Sequence, residues 1–221
     1  NNSLAISFAS LPDIRASISG SCNLYTAFCI KGPKHSDNLI IITSEFLKAF
    51  AFFVKAVAQV LKEYPQLNAT WAGDKIIEKS DIHLSIAVAV EDSLFVPVIK
   101  NADEKTIKGI AREISEFAEK AKNGKLKTED MHGGTLTVNN TGTFGSIQSY
   151  GIINYPQAAI LQIESIVKRP VIIDGMIAVR DMVNLCLSLD HRVLDGLICG
   201  RFLARLKEVL ENVDKETTSI Y

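Results

Sequence analysis

The sequence predicts a single α/β domain with a mixed sheet and flanking helices, and three observations carry that prediction. Apolar residues recur every three or four positions in three stretches, around 47–61, 107–121 and 194–209. Between them lie short runs rich in β-branched residues. The two kinds of segment interleave with no fixed repeat and no long linker, the pattern of one α/β layer structure. At 221 residues the chain is long enough to bury roughly 70% of its unfolded surface in one core.

Along the chain, residues 1–43 carry no sustained period. They hold a Ser/Gly/Cys-rich patch near Ser17–Cys22, a Lys31-Gly32-Pro33-Lys34 turn and an apolar run, Leu39 to Ile42. From Ser44, a plausible N-cap, Leu47, Phe50, Val54, Val57 and Leu61 mark a first amphipathic helix that Pro65 stops. A turn at Ala72-Gly73-Asp74 follows, and Leu84–Val90 and Leu94–Ile99 read as two strands joined tightly through Glu91-Asp92-Ser93. Ile107, Ile110, Ile114, Phe117 and Ala121 form the second helix, closed by Asn123-Gly124. After Gly133-Gly134 comes a short strand, Thr135–Asn139, and then a Gly/Ser/Asn/Thr-rich loop to Ser149. Ala158–Ile166, Val171–Ile173 and Val183–Leu189 are further strands, and Leu194, Leu197, Ile198, Phe202, Leu206 and Val209 mark the last helix.

Composition narrows the function. With 24 Lys+Arg against 25 Asp+Glu the net charge is −1, so the basic footprint of a nucleic-acid or anionic-membrane binder is missing. The best apolar stretch, Phe46 to Leu61, is interrupted by Lys48, Lys55 and Gln59, which predicts a buried helix and no membrane span. Cys22, Cys29, Cys186 and Cys199 have neither C-x-x-C pairing nor metal spacing, so no metal site is expected. A reducing, cytoplasmic setting follows, in line with an N-terminus that lacks the pattern of a signal peptide.

Among four histidines, His35, His83 and His132 lie in turn or strand-start contexts and read as solvated or capping residues. His191 differs, because it ends an apolar strand inside Asp190-His191-Arg192-Val193-Leu194-Asp195-Gly196, where four ionisable side chains crowd a strand-to-helix junction. Two readings are open. In one, Asp190 and Arg192 pair while His191 or Asp195 caps the helix. In the other, His191 is a general base and Asp195, one helical turn on, orders the site. A thiol, with an ordinary pKa of about 8.5, suits such a base because neutral imidazole can take its proton near neutrality.

That segment resembles the D-H-R-x-x-D-G signature of the dihydrolipoamide acyltransferases, the catalytic cores of the 2-oxoacid dehydrogenase complexes. The shorter H-x-x-x-D-G is shared with chloramphenicol acetyltransferase and peptide-synthetase condensation domains. Residues 49–221 resemble the core throughout, including Phe53-Val54-Lys55-Ala56, Val96-Pro97-Val98-Ile99-Lys100 and Gly133-Gly134-Thr135. Asn139-Asn140-Thr141-Gly142-Thr143-Phe144-Gly145-Ser146 and Gly151-Ile152-Ile153-Asn154-Tyr155-Pro156 are most similar to the branched-chain type of Gram-positive bacteria. Residues 1–48 form an atypical N-terminal segment that does not resemble the family.

The resemblance implies a chloramphenicol-acetyltransferase-like fold and exchange of a branched-chain acyl group between dihydrolipoamide and coenzyme A. It implies His191 as base, with Asp195, and Asn139 as oxyanion donor where the family carries a serine; Thr141 and Ser146 are substitutes for that role. For coenzyme A it implies Ala89, Asn140, Glu164, Ser165 and Ile166. It also implies a homotrimer with active sites between neighbouring subunits, assembled into a hollow cubic or dodecahedral core. The decarboxylase and dihydrolipoamide dehydrogenase are the expected partners, with the lipoyl group on a separate domain, so the chain is expected to be a core fragment. The alternatives are a catalytically silent structural core and a chloramphenicol-type O-acetyltransferase.

Overall fold

In the computed structural model the described residues are 21–29 and 45–212, with side chains described from residue 49 to 212. The elements run β1 (Ser21–Cys29), α1 (Glu45–Leu61), β2 (Ala69–Trp71), β3 (Ile76–Glu78), β4 (Leu84–Ile86), β5 (Val88–Val90), β6 (Ser93–Phe95), β7 (Val98–Ile99), α2 (Ile107–Lys122), β8 (Leu136–Asn140), β9 (Ala159–Ile163), β10 (Val167–Ile173), β11 (Met176–Asp190) and α3 (Gly196–Glu211). The main sheet has the order β1-β11-β9-β8-β4-β7, and β10 pairs with β11 as a projecting hairpin. Strands β4, β8 and β9 are mutually parallel, while β11 and β7 run against them, so the sheet is mixed.

Strand alternation gives this sheet two unlike faces. On one, Leu84, Ile86, Leu136, Val138, Leu161 and Leu187 are at most 1% exposed and pack with α1, α2 and α3 in one continuous core. Complete burial of such side chains contributes roughly 1.5–3 kcal/mol each. Tyr64 meets Phe202 of α3 edge-on, centroids 5.9 Å apart. Arg205 of α3 donates to Glu63 beyond the end of α1. The opposite face carries Ser85, Thr137, Asn139, Gln162, Cys186 and Ser188 in successive register rows. Two of these groups are paired through Gln157: Thr137 Oγ1 donates to Gln157 Oε1, and Gln157 Nε2 to Ser85 Oγ.

The predicted α/β class and the three helices are present; the helix start at Ser44 and the run Leu39–Ile42 lie outside the described residues. Several elements differ from expectation: β2 and β3 flank the turn at Ala72-Gly73-Asp74, where the sequence predicts only the turn, and β10 starts at Val167, four residues before Val171. Leu84–Val90 is not one strand, because β4 stays in the main sheet while β5 leaves it to pair with β6. Leu94–Ile99 is likewise split into β6 and β7 around Pro97, which has no N–H for a ladder and whose carbonyl accepts from Ile86. Ala158–Ile166 shortens to β9. β11 begins seven residues before Val183: its first half pairs only with β10 and stands largely in solvent, and Arg180-Asp181 separate its apolar start, Met176–Val179, from the buried run.

Candidate functional site

At the end of β11 a run of six buried residues stops at Asp190, 9% exposed. Arg192 fills both of its oxygens: the backbone N–H and Nε donate to Oδ1 at 3.0 and 2.9 Å, and a terminal guanidinium nitrogen to Oδ2 at 2.6 Å. These hydrogen bonds, outweighing burial, hold the Asp190 carboxyl below the ordinary range. The Arg192 guanidinium also lies over the Trp71 ring of β2 at 5.6 Å, which ties the β2–β3 hairpin to this corner. Three residues later the Asp195 carboxylate accepts from the Ile198 N–H at 2.8 Å and caps α3. Both halves of the structural reading of this segment are therefore present, with Asp195 and not His191 as the cap. His191 sits between the two fixed points on an exposed turn, and among the described residues its imidazole makes no hydrogen bond.

The other candidate group lies at the carboxyl end of β8. Asn139 is half-buried beside Gln162 of β9, and among the described residues its side-chain amide is hydrogen-bonded to nothing. The two hydroxyls considered as substitutes are engaged: Thr141 Oγ1 donates to Glu164 at 2.8 Å, and Ser146 Oγ donates to the Gln148 carbonyl at 3.2 Å. Asn140, next along, accepts from Thr143 through its carbonyl, while its side-chain Oδ1 is buried without a donor.

One chain does not bring His191 and Asn139 together. Asn139 is level with Gln162, and Leu189 is level with Ala159, three residues lower on β9; His191 lies two residues further down. Five residue steps are about 16 Å along the strands, with two strand spacings of about 4.8 Å across. Neither side chain spans that gap.

Of the residues implied for coenzyme A, Asn140, Glu164, Ser165 and Ile166 gather at the Asn139 end, and Ala89 on β5 continues from β4, the parallel neighbour of β8. Glu164 is 2% exposed and accepts from Ser149 at 2.5 Å and Thr141 at 2.8 Å. Burial opposes its charge, but the hydroxyls of Ser149, Thr141 and Ser146 outweigh it and keep the carboxyl below the usual range. Burial, with Glu164 adjacent, pushes the Cys186 thiol up to about 11, so it stays protonated. Ser165 strengthens the same clamp, its Oγ donating to Gly142 at 2.9 Å and its N–H to Ser146. Gly142 is obligatory there, since a Cβ would stand 2.6 Å from the Glu164 backbone. Sequence reasoning missed this clamp; the run of hydroxyls from Thr141 to Ser149 was its only trace.

The other histidines are structural where described. His83 Nδ1 accepts from the Asn101 N–H at 3.0 Å, holding a residue whose φ is +49°, and His132 ends a short 3-10 turn; His35 lies outside the described residues. No group of three potential metal ligands occurs among the described residues. A groove of about 640 Å³ beside α2, lined by Lys100, Lys105, Phe117 and Lys120 among others, holds none of the candidate residues.

The family model described as 2-oxoacid dehydrogenases acyltransferase (catalytic domain) matches residues 38–217. The chain belongs to this family. It is 76% identical over 176 residues to the lipoamide acyltransferase component of the branched-chain alpha-keto acid dehydrogenase complex of Bacillus subtilis, a match covering 79% of this chain and 41% of that protein. Among solved structures it is similar to a probable dihydrolipoamide acetyltransferase from Listeria monocytogenes, with TM-score 0.85 and 62% identity over 91% of this chain and 88% of that one. The cubic core of a pyruvate dehydrogenase multienzyme complex follows, with TM-score 0.76 and 32% identity, covering 88% of this chain and 82% of that one. Chloramphenicol acetyltransferase shares the fold alone, at 13% identity and TM-score 0.55, over 87% of this chain and 89% of that one. The expected fold class is thus the observed one. The chain spans about two fifths of the length of the curated relatives it matches. No helix among the described residues is long and apolar enough to cross a membrane.

Proposed function

We propose that this catalytic domain exchanges a branched-chain acyl group between a dihydrolipoamide thioester and coenzyme A. The observation that carries the reading is a pair of uncommitted polar groups, the His191 imidazole and the Asn139 amide, fixed at opposite ends of one sheet. A second copy, presenting its opposite end, completes the site, so the working unit is an oligomer. A homotrimer, built into a hollow cubic or dodecahedral core with the decarboxylase and dihydrolipoamide dehydrogenase bound to it, fits that requirement.

His191 takes the proton of the attacking thiol, and the thiolate adds to the thioester carbonyl. The amide of Asn139, from the neighbouring copy, donates to the oxygen that becomes negative. Collapse expels the other thiol, to which His191 returns the proton. Both thiols are chemically alike, so transfer runs in either direction. Asp195 serves the base indirectly, by starting α3 just beyond it. Ala89, Asn140, Ser165 and Ile166 line the coenzyme A end, and Glu164 acts there through the turn that it holds. Cys186 and Cys199, buried and outside any disulfide, suit a cytoplasmic setting.

The test is transfer from isobutyryl-coenzyme A to free dihydrolipoamide by the assembled protein, beside acetyl and succinyl donors. A rate favouring isobutyryl that falls by about 10²–10⁴ in His191→Ala is expected. No transfer by a correctly assembled protein would make the chain a structural core, and transfer to a hydroxyl acceptor alone would make it an O-acetyltransferase.

A further inference from the structure

Gln162 is 2% exposed, and its Oε1 is buried without a hydrogen-bond donor. Buried carbonyl oxygens are nearly always paired, because an unpaired one forfeits its hydration with nothing in return. Its place in the sheet puts beside it a donor that the single chain leaves unbonded. Gln162 is the register partner of Asn139 on the neighbouring parallel strand, so the two side chains leave the same face about 4.8 Å apart. Asn139 carries two amide N–H groups, and neither is hydrogen-bonded among the described residues. Above the pair lies Gly151, where a Cβ would stand 2.7 Å from Gln162 Nε2. The missing side chain at Gly151 lets the loop lie close over the Gln162 head group.

We infer that Gln162 is a positioning residue for the oxyanion donor: the two side chains are unbonded to each other in the single chain, and in the assembled site a turn of the Asn139 amide brings one N–H onto Gln162 Oε1, which fixes the amide plane and aims the other N–H at the reacting carbonyl. This rests on the acyl-transfer reading, and on Asn139 as its oxyanion donor. A lone asparagine on a half-buried strand end has free rotation about its terminal torsion, and its amide has an acceptor as well as donors. An acceptor oxygen presented there would repel a developing oxyanion. A fixed neighbouring acceptor selects the orientation that turns nitrogen toward it, as outer-shell partners orient catalytic groups generally.

The experiment is a double-mutant cycle on the assembled protein, with isobutyryl-coenzyme A and dihydrolipoamide as substrates. Gln162→Met keeps length and burial while removing the acceptor. It is expected to lower kcat about tenfold, the worth of roughly one hydrogen bond, with KM for coenzyme A unchanged. In an Asn139→Ala background the same substitution is expected to change nothing further, since there is no amide left to aim. An equal loss in both backgrounds, or none in the first, overturns the inference while leaving the acyltransferase reading intact; an inactive wild-type assembly overturns both. A crystal structure of the wild-type assembly tests the inference without any variant, with Asn139 Nδ2 expected about 3 Å from Gln162 Oε1. A separation beyond about 4 Å overturns it.

Discussion

The two ends of the central sheet are built in different ways, and the difference suits each to the role proposed for it. The His191 end is fixed by charge: Asp190 is filled by Arg192, Arg192 lies on Trp71, and Asp195 caps α3. The histidine between them is left exposed. The Asn139 end is fixed by hydroxyls on a buried carboxylate, with Thr141 and Ser149 holding Glu164 and Ser165 holding Gly142. The charged end satisfies both carboxylates and leaves His191 unspent, whereas the hydroxyl end satisfies Glu164 but leaves Asn139, Asn140 Oδ1 and Gln162 Oε1 unbonded among the described residues. A base works on an exposed turn that substrate can reach, whereas an oxyanion donor works from a half-buried strand end where its field is less screened.

The largest expected effect tests whether these ends work across two copies. His191→Ala and Asn139→Ala chains, each nearly inactive alone, are unfolded together and reassembled in equal amounts. If each site takes its base from one copy and its donor from the next, random mixing leaves about one quarter of the sites with both groups intact, and transfer recovers to about one quarter of the wild-type rate. Mixtures no more active than the separate variants would mean that each site draws both groups from one chain.

The two ends were not equally legible in the sequence. The charged end declared itself, because four ionisable residues in six positions after an apolar strand are unusual wherever they fall, and both ion pair and cap are local contacts. The hydroxyl end was legible only as a glycine-rich loop. Its carboxylate lies 15 residues from Ser149 and 23 from Thr141, a pairing that exists only once β8 and β9 are side by side. Glu164 was singled out through family resemblance, and its role as an anchor came from the fold. The same reason hid the split of Leu84–Val90: a run apolar but for Ser85 says nothing about which residues stay in the sheet and which turn out to pair with β6.

A smaller effect separates the two constructions by their tolerance. Gly142→Ala places a Cβ 2.6 Å from the carbonyl carbon and oxygen of Glu164 and 2.7 Å from the Ser165 nitrogen, all backbone atoms. No side chain can yield, so the turn has to lift and lose the Ser165 hydroxyl bond. About 1–3 kcal/mol of stability should go, read by urea unfolding. Asp195→Ala at the charged end removes one cap and should cost about 1 kcal/mol. Equal losses would mean that the clamp is no tighter than an ordinary helix start.

The smallest effect concerns acid, and it distinguishes the ends by mechanism. Asp190 and Glu164 both ionise more readily in the folded protein than usual, Asp190 because of Arg192 and Glu164 because hydroxyl donors outweigh its burial. Each therefore adds stability that is complete above the unfolded-chain values, about 3.9 and 4.3, and is lost as pH falls through the lower folded values. Glu164→Gln should make the decline below about pH 4.5 shallower, and Asp190→Asn should do the same at its own end. Salt tells them apart. The Arg192 side chain is 53% exposed, so its hold on Asp190 weakens in concentrated salt, while Glu164 is bound by neutral hydroxyls out of contact with ions. Acid unfolding in high salt should then erase the difference made by Asp190→Asn and keep that made by Glu164→Gln. If salt erased both, the Glu164 carboxylate would be held by distant charge and the hydroxyl clamp would be incidental.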